Sequence, residues 1–264
     1  MRGINIVPVA GLCNRLQAVE SAMRLAEACD LPLNVFWYSD YLQNSSFSDL
    51  FVRPPAYRWL VECSAIHPVG RGIKSLWERV LKYTCSLHIP PERRPRLVPL
   101  QEVVPHQSVW IESYLPFFSD APRYDFLTPV APIQRAIEQV CLSFKNRVVG
   151  IHVRRTDNDD AKNKSPTHAF LRAMEEEIGR DPGTQFFLAT DSPEEEERLV
   201  KAFKERIITY KKRTLSRAHR TGIQDAVTDL FCLSRTEKII GSHGSSFTET
   251  ASWLSGIPLV IAQD

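Results

Sequence analysis

The sequence predicts an α/β fold whose C-terminal half is a doubly wound parallel sheet. Three observations carry this prediction. Val148–Val153 form a nearly continuous apolar run, which is typical of a strand buried on both faces. Segments with strand and helix patterns then alternate to the end of the chain at βαβ spacing. Near the N-terminus a strand, a glycine turn, a helix and a second strand follow one another, which indicates a parallel pair with a right-handed crossover.

The N-terminal half has one clear β-turn-α-β segment and a long irregular region. Three strands are predicted, over residues 4–9, 33–37 and 109–114. Apolar residues at helical spacing predict a helix over residues 15–29, after a turn at residues 11–14. The remainder of the region from about 53 to 125 is rich in proline and aromatic side chains, and its pattern defines no order of elements.

The C-terminal half is more regular. Its predicted strands cover Val148–Val153, Gln185–Thr190, residues 207–210, Lys238–Gly241 and residues 258–262. Its predicted helices cover residues 166–179, residues 193–206, residues 222–234 and Ser246–Ser255. Pro193 and the glutamates that follow it favour a helix N-terminus. The proline-rich stretch 122–132 predicts a boundary, so two domains are expected, over residues 1–125 and 126–264.

Composition excludes several classes of protein. The 264 residues carry a formal charge of +2 and are 43% hydrophobic, which predicts a globular protein with no general affinity for nucleic acid or membranes. The six cysteines form no CxxC pair, so reduced thiols are favoured over a disulfide or a zinc site. Because there is no secretory signal and no apolar run of 18 residues, a cytoplasmic protein without a transmembrane segment is expected.

Polar side chains cluster near the ends of the predicted strands, where open parallel sheets bind ligands. The candidates are Arg154, Arg155, Asp157, Asp191, Ser245 and Ser246, with Asp229 on the preceding helix. Arginine donates a fork of hydrogen bonds to phosphate, and serines at a helix N-terminus offer a second anion site. A carboxylate accepts from the N1–H and N2–H₂ groups of guanine. The pattern therefore predicts a nucleoside diphosphate site.

Each candidate also has a simpler interpretation. The arginines and Asp157 fit an exposed ion pair, the serines fit a helix cap, and Asp229 fits a solvated helix residue. His152 stands in an apolar strand and must find a hydrogen-bond partner. It is either a satisfied core histidine or a ligand contact, and the arginines beside it favour the contact. Asn14 and Arg15 are either site residues or an N-cap followed by an exposed arginine.

Residues 152–157 (HVRRTD) resemble the HxRRxD signature of the α-1,6-fucosyltransferases, which include core and nodulation fucosyltransferases, and more distantly the protein O-fucosyltransferases. Further family motifs have counterparts in the same order. They are residues 11–15 (GLCNR), 188–191 (LATD), and 229–234 (DLFCLS) with 241–246 (GSHGSS). Residues 40–125 show no such resemblance.

The resemblance implies a GT-B-like fold, in which two Rossmann-like domains face a cleft, the first on the acceptor side and the second holding the donor. It implies an inverting, metal-independent transferase that uses GDP-fucose and a glycan or other hydroxyl acceptor. By position, Arg154 resembles the pyrophosphate ligand, Arg155 a second essential arginine, and Asp157 the residue that orients both. The match to the second motif implies that Asp191 belongs to the same catalytic group. The implied contacts are His152 and Asp229 for guanosine, Ser245 and Ser246 for phosphate, and Asn14 and Arg15 from the opposite domain.

The chain departs from the family pattern in two places. Ser192 follows Asp191 where the motif often has a second aspartate. The glutamate proposed as base in one branch has no clear counterpart, and Asp159 and Asp160 are the nearest carboxylates. No metal site is expected, because this acidic stretch lacks the glycine and terminal glutamate of a calcium loop.

Three alternatives remain at this level. The first is a GT-B transferase that uses another nucleotide sugar. The second is a non-catalytic protein that binds a nucleotide sugar or a glycan. The third is a basic interaction surface formed by residues 211–213 with Arg217 and Arg220, although such runs are usually solvated.

Overall fold

The structure is a computed structural model that describes residues 2–91, 97–118, 122–156 and 159–263. Within these residues the chain forms two five-stranded sheets in which all neighbouring strands are parallel. It divides into two compact units. The first comprises Met1–Val130 with Ser216–Gln224, and the second comprises Ala131–Leu215 with Asp225–Asp264.

The first unit contains strands β1 (Gly3–Pro8), β2 (Leu33–Ser39), β3 (Tyr57–Ser64), β4 (Leu87–Ile89) and β5 (Ser108–Ser113). The strand order is β3-β2-β1-β5-β4. Its helices are α1 (Leu12–Cys29), α2 (Pro68–Thr84) and α3 (Leu100–Val103). β1 and β2 are buried along their whole length, as expected for inner strands of a parallel sheet covered on both faces.

The second unit contains strands β6 (Val148–Val153), β7 (Gln185–Thr190), β8 (Ile207–Thr209), β9 (Lys238–Gly241) and β10 (Leu259–Ile261). The strand order is β10-β9-β6-β7-β8. The helices are α4 (Ala131–Cys141), α5 (Asp159–Lys164), α6 (Thr167–Arg180), α7 (Pro193–Phe203), α9 (Ser246–Ser255) and, from Asp225 onward, α8 (Arg220–Leu233). Side chains of β6 and β7 pack against α6 and α7 in one apolar core.

The predicted α/β fold with two Rossmann-like parallel sheets is confirmed. The elements that the sequence did not define are β3, α2, β4, α3, α4 and α5. In α2 the helical pattern is interrupted by Gly70, which has a packing reason. A Cβ atom at Gly70 would lie only 1.8 Å from the carbonyl oxygen of Ser64, so no other residue fits there without a shift of the backbone.

A cluster of charges around Glu177 ties α6 to the amino ends of β6 and β9. Oε2 of the buried Glu177 accepts from Arg147 at 2.7 Å, and Oε1 accepts from Lys238 at 2.6 Å and also from Arg180. Burial alone would raise the pKa of Glu177, but the bonds from Lys238 and Arg147 outweigh burial and hold it below its usual value. The cluster stabilises the unit at the sheet edge opposite the carboxyl ends of the strands.

Two further properties bear on the class of protein. Among the helices that the structure describes, none combines the length and apolar composition that a membrane crossing requires. All six cysteines are free thiols, and Cys13 and Cys232 are buried.

Candidate functional site

The strand order of the second unit creates a topological switch point between β6 and β9. From β6 the chain winds outward to β7 and β8, and it then returns to the other side of β6 as β9 and β10. The loops that follow β6 and β9 therefore leave the sheet in diverging directions. Open α/β sheets bind ligands in the crevice that such divergence leaves at the carboxyl ends of the strands.

Ser242 ties these two loops together. Its backbone N–H donates to the carbonyl oxygen of His152 at 3.1 Å, which extends the pairing of β9 with β6. Its Oγ accepts from the backbone N–H of Arg154 at 2.9 Å. Ser242 thus fixes the start of the arginine loop, a role that no sequence signal indicated.

Asp191, at the end of β7, holds the same loop from the other side. Oδ1 accepts from the backbone N–H of Arg155 at 2.7 Å, and Oδ2 accepts from the Thr156 hydroxyl at 2.7 Å. Burial alone would raise the pKa of Asp191, but these bonds and the charge of Arg154 hold it below its usual value. Asp191 is therefore a charged acceptor that positions the loop. Asp157, which the sequence analysis assigned to this task, lies outside the described residues.

Arg154 and Arg155 have different surroundings. Nε of Arg154 lies 3.7 Å from Oδ2 of Asp191, and its side chain is 20% exposed. Arg155 is 13% exposed and reaches between α6 and α7. There Nε lies 3.5 Å from Oε1 of Glu195, Nη2 donates to Thr167 at 3.3 Å, and the guanidinium lies over the Phe170 ring. The structure therefore gives Arg155 a packing role within the unit, whereas Arg154 is the more exposed of the two.

His152 is buried in β6 and has a hydrogen-bond partner, as the apolar strand requires. Nδ1 lies 2.6 Å from Oγ1 of Thr248, and the ring stacks on Phe247 with centroids 4.7 Å apart. Burial, together with the charges of Arg154 and Lys212, lowers the pKa of His152 to about 3, so the ring is neutral at physiological pH. Nδ1 is thus satisfied within the core, and Nε2 is the ring atom left to meet a ligand.

Thr248 approaches His152 because Gly241 has no side chain. A Cβ atom at Gly241 would lie 2.1 Å from Cγ2 of Thr248 and 2.9 Å from its Oγ1. Since real Cβ atoms do not approach other heavy atoms that closely, a larger residue at position 241 would displace the threonine. The glycine at the end of β9 is therefore part of the support of His152.

Asp229 lies on α8 beside Lys212. Its side chain is 5% exposed, and Oδ2 lies 3.1 Å from Nζ of Lys212, whereas Oδ1 has no hydrogen-bond partner among the described residues. Burial raises the pKa of Asp229 to about 7, against the opposing charge of Lys212. The interpretation of Asp229 as a solvated helix residue is therefore wrong.

The segment that carries Lys212 was interpreted as part of a solvated basic surface. Arg213 instead binds the buried Asp225 through its backbone N–H, Nε and Nη2, at 2.6, 2.9 and 2.6 Å. The Tyr210 hydroxyl donates to the same carboxylate at 3.0 Å. The basic run is thus anchored to acidic residues of α8, which the sequence could not show because the partners lie 12 or more positions away.

The first turn of α9 begins at Ser246, directly after Ser245. Ser245 is the N-cap residue in extended conformation, and its hydroxyl does not cap the helix. Gly244 before it has a φ of +61°, a conformation that favours glycine. The helix N-terminus is a site for anions by its dipole. Ser245 thus occupies the N-cap position without a side-chain capping bond, and the assignment of both serines to phosphate stays a prediction.

Asn14 and Arg15 belong to the first unit. The helix begins at Leu12 with Gly11 as N-cap, so the predicted Asn14 cap is wrong. Nδ2 of Asn14 donates to the carbonyl oxygen of Tyr114 at 2.9 Å. Arg15 is 1% exposed and donates to Ala10, Tyr38 and Asp40. The alternative of an exposed arginine is therefore wrong as well, and Arg15 is built into the core of its unit.

The carboxylates considered for a base or a metal lie elsewhere. Asp159 and Asp160 begin α5, are largely exposed and face Lys162 and Lys164 at 3.1 and 3.8 Å. Within the described ranges, no group of three or more histidine, cysteine, aspartate or glutamate side chains is arranged to hold a metal ion.

The fold and the switch-point site together define an α/β protein of GT-B-like architecture. The chain matches no protein-family model and no curated protein. Its fold is similar to that of NodZ α-1,6-fucosyltransferase soaked with GDP-fucose, with a TM-score of 0.66, 15% identity, and coverage of 99% of this chain and 95% of that one. A mutant of Arabidopsis thaliana FUT1 in complex with GDP gives a TM-score of 0.62 at 14% identity, covering 98% and 70%. POFUT1 in its apo form gives 0.55 at 12% identity, covering 99% and 98%. The chain thus resembles fucosyltransferases in fold.

Proposed function

We propose that this protein is a glycosyltransferase that transfers fucose from GDP-fucose to a hydroxyl of a glycan or similar acceptor. The observation that carries the proposal is the arrangement at the carboxyl ends of β6 and β9. There Arg154 and the N-terminus of α9 flank a switch point, and Ser242 and Asp191 fix the arginine loop. The proteins of similar fold include one soaked with GDP-fucose and one in complex with GDP.

In the proposed reaction, an acceptor oxygen attacks the anomeric carbon of fucose while the bond to the β-phosphate oxygen breaks. GDP leaves with that electron pair, the acceptor hydroxyl gives its proton to solvent water, and the configuration at the anomeric carbon inverts. Negative charge grows on the departing diphosphate. Arg154 and the N–H groups of α9 are preorganised to stabilise this charge, and one such donor lowers a barrier by about 3–4 kcal/mol. This assignment needs no metal ion.

The preference for guanine is assigned to Asp229. Its buried Oδ1 lacks a partner among the described residues, and guanine, which donates from N1–H and N2–H₂, would supply the missing bond. Adenine presents an acceptor at N1 and would leave the carboxylate unpaired. We expect GDP to bind at least about tenfold more tightly than ADP or UDP.

The acceptor is assigned to the first unit, beside the carboxyl ends of β2 and β3. A depression of about 390 Å³ opens there. Its lining offers serine hydroxyls and carboxylates that suit a polyhydroxylated ligand, namely Ser39, Ser45, Ser46, Ser64, Asp49 and Glu62, with Asn44, Cys63 and Arg220.

A screen of nucleotide sugars tests the proposal. GDP release from GDP-fucose, GDP-mannose, UDP-glucose and ADP-glucose is measured with and without glycan acceptors, with Arg154→Ala as the inactive control. Turnover of GDP-fucose alone supports the proposal, and turnover of another donor identifies a different transferase. Since Asp159, Asp160 and Asp191 are engaged with other groups, a non-catalytic binding protein is the second candidate. Tight GDP binding without turnover of any donor would favour it.

A further inference from the structure

Lys212 and Asp229 form a buried pair with unused bonding capacity on both partners. The Lys212 side chain is 10% exposed, and its Nζ lies 3.1 Å from Oδ2 of Asp229 and 3.8 Å from Oε2 of Glu196. Among the described residues, Nζ makes no contact with hydrogen-bond geometry, and Oδ1 of Asp229 has no partner either. The ion pair therefore leaves donor capacity on the ammonium and one carboxylate oxygen, Oδ1, available to a ligand.

Such an arrangement is unfavourable in a protein that has no ligand for it. Each buried polar group without a partner destabilises the fold, and more so when it is charged. Lys212 is also unnecessary for anchoring its own segment, because the next residue, Arg213, makes three hydrogen bonds to Asp225. The position of Lys212 thus points to a ligand rather than to the attachment of the loop.

The pair has the hydrogen-bonding pattern that is complementary to the base edge of guanine. Guanine presents an acceptor, O6, beside two donors, N1–H and N2–H₂. A carboxylate satisfies the two donors and an ammonium beside it satisfies O6. Adenine has the opposite order at the first two positions, with a donor at N6 and an acceptor at N1. Lys212 lies three residues past the carboxyl end of β8, so the pair is at the same edge of the sheet as the switch-point loops.

Resting on the proposed function, we propose that Lys212 is a specificity-determining residue, whose Nζ donates to O6 of the donor's guanine while Asp229 accepts from N1–H and N2–H₂. His152 also offers a ring nitrogen, Nε2, as a hydrogen-bonding group for the base. The experiment therefore has to separate recognition of O6 by Lys212 from recognition by His152.

The test is a calorimetric titration with four diphosphates. GDP has all three groups, the diphosphate of 6-thioguanosine keeps N1–H and N2–H₂ but replaces O6 by sulfur, a much weaker acceptor, inosine diphosphate lacks the N2 amine, and ADP reverses the edge. The wild type should bind GDP about fivefold more tightly than the 6-thioguanosine compound. Lys212→Met should bring this ratio to about one and leave the ratio of GDP to inosine diphosphate within about twofold of the wild type. The exposed neighbour provides the matched control, since Lys211→Met should change neither ratio.

Several outcomes would overturn the proposal. A wild type that binds the 6-thioguanosine compound as tightly as GDP does not recognise O6, whatever the variants do. A ratio that survives in Lys212→Met assigns O6 to His152 or another group. Equal weakening of all four nucleotides assigns Lys212 a general electrostatic role. If Lys212→Met does not fold, Lys212→Gln replaces it, because an amide still donates to O6 and should keep part of the preference. Failure of the wild type to bind GDP more tightly than ADP would instead refute the guanine-nucleotide function itself.

Discussion

Asp191 accepts a hydrogen bond from the backbone N–H of Arg155 at 2.7 Å. The carboxylate that follows β7 therefore sets the path of the loop that follows the neighbouring strand β6. Asp191→Ala removes this bond and those from Thr156. Charge-assisted bonds of this kind contribute about 1.5–3 kcal/mol, so kcat/KM should fall about 10- to 100-fold as Arg154 loses its position.

The control for this variant is the next residue. Ser192 caps α7 by accepting from Glu195 N–H. Ser192→Ala should lower stability by about 1 kcal/mol and leave kcat/KM within about threefold of the wild type. Denaturant unfolding and steady-state kinetics of both variants check the pair. Equal kinetic effects of the two substitutions would contradict the positioning role of Asp191.

The two arginines should separate into a ligand-binding and a structural residue. Arg155→Ala removes the less exposed of the two arginines paired with the buried Glu195 and should lower the free energy of unfolding by about 3 kcal/mol. Arg154→Ala should change stability by less than about 1 kcal/mol, because its contact with Asp191 is longer and more exposed. It should weaken GDP binding about 10- to 100-fold. Thermal unfolding and calorimetric titration measure both. The reverse pattern would exchange the two roles.

The preference for GDP over ADP should depend on pH. The groups that act on Asp229 are Lys212, Glu196 and Asp225, and burial raises its pKa to about 7. Below that pH the carboxyl is protonated and no longer accepts two bonds from guanine. The ratio of GDP to ADP affinity should therefore fall about tenfold from pH 8 to pH 6. Taking the ratio cancels the titration of the shared diphosphate. In Asp229→Asn it should be flat, and a flat ratio in the wild type would refute the assignment.

The charge cluster at the opposite edge of the sheet should affect stability and not activity. Glu177→Gln removes the carboxylate charge that pairs with Lys238 and Arg147, which should lower the free energy of unfolding by about 3 kcal/mol. Because the pKa of Glu177 is lowered on folding, its contribution is present above the ordinary carboxylate range and is lost as pH falls through that range. Urea unfolding between pH 7 and pH 3 should show a weaker acid dependence in Glu177→Gln. The exposed Glu176→Gln is the control.

Chelators should leave the transferase activity unchanged. The proposed mechanism neutralises the leaving diphosphate with Arg154 and the N-terminus of α9, so the reaction has no step that requires a divalent cation. GDP release from GDP-fucose in EDTA should equal that in buffer, and added Mg²⁺ or Mn²⁺ should not stimulate it. Activity that disappears in EDTA and returns with Mn²⁺ would contradict this mechanism.

The second unit could be predicted closely because its strands are continuous apolar runs that alternate with amphipathic helices. β6, β7 and β9 have the predicted bounds for that reason. In the first unit, β3 is half exposed, and α2 begins at a proline and contains Gly70. Neither segment therefore shows a clear hydrophobic periodicity in the sequence. The pattern of neighbouring residues in the sequence does not show the packing against Ser64 that makes this glycine necessary.

The candidate site was only partly visible for a related reason. Residues that follow strand ends, such as Arg154 and Asp191, are indicated by topology, since every carboxyl end lies at one edge of the sheet. Lys212 and Thr248 act through partners 17 and 96 positions away, and their own neighbours in sequence suggest a solvated run and an ordinary helix. For Arg15 the sequence suggested a site residue or an exposed side chain. Its guanidinium instead donates hydrogen bonds within the core of its own unit.

The missing side chain at Gly241 links two positions that are seven residues apart. A residue with a Cβ atom at position 241 requires a residue smaller than threonine at position 248. A smaller residue without a hydroxyl leaves Nδ1 of His152 without its hydrogen-bond partner. Among natural descendants of a common ancestor, positions 241 and 248 should therefore covary. Glycine should be retained at position 241 wherever threonine is retained at position 248. A substitution at one of the two positions alone should be selected against.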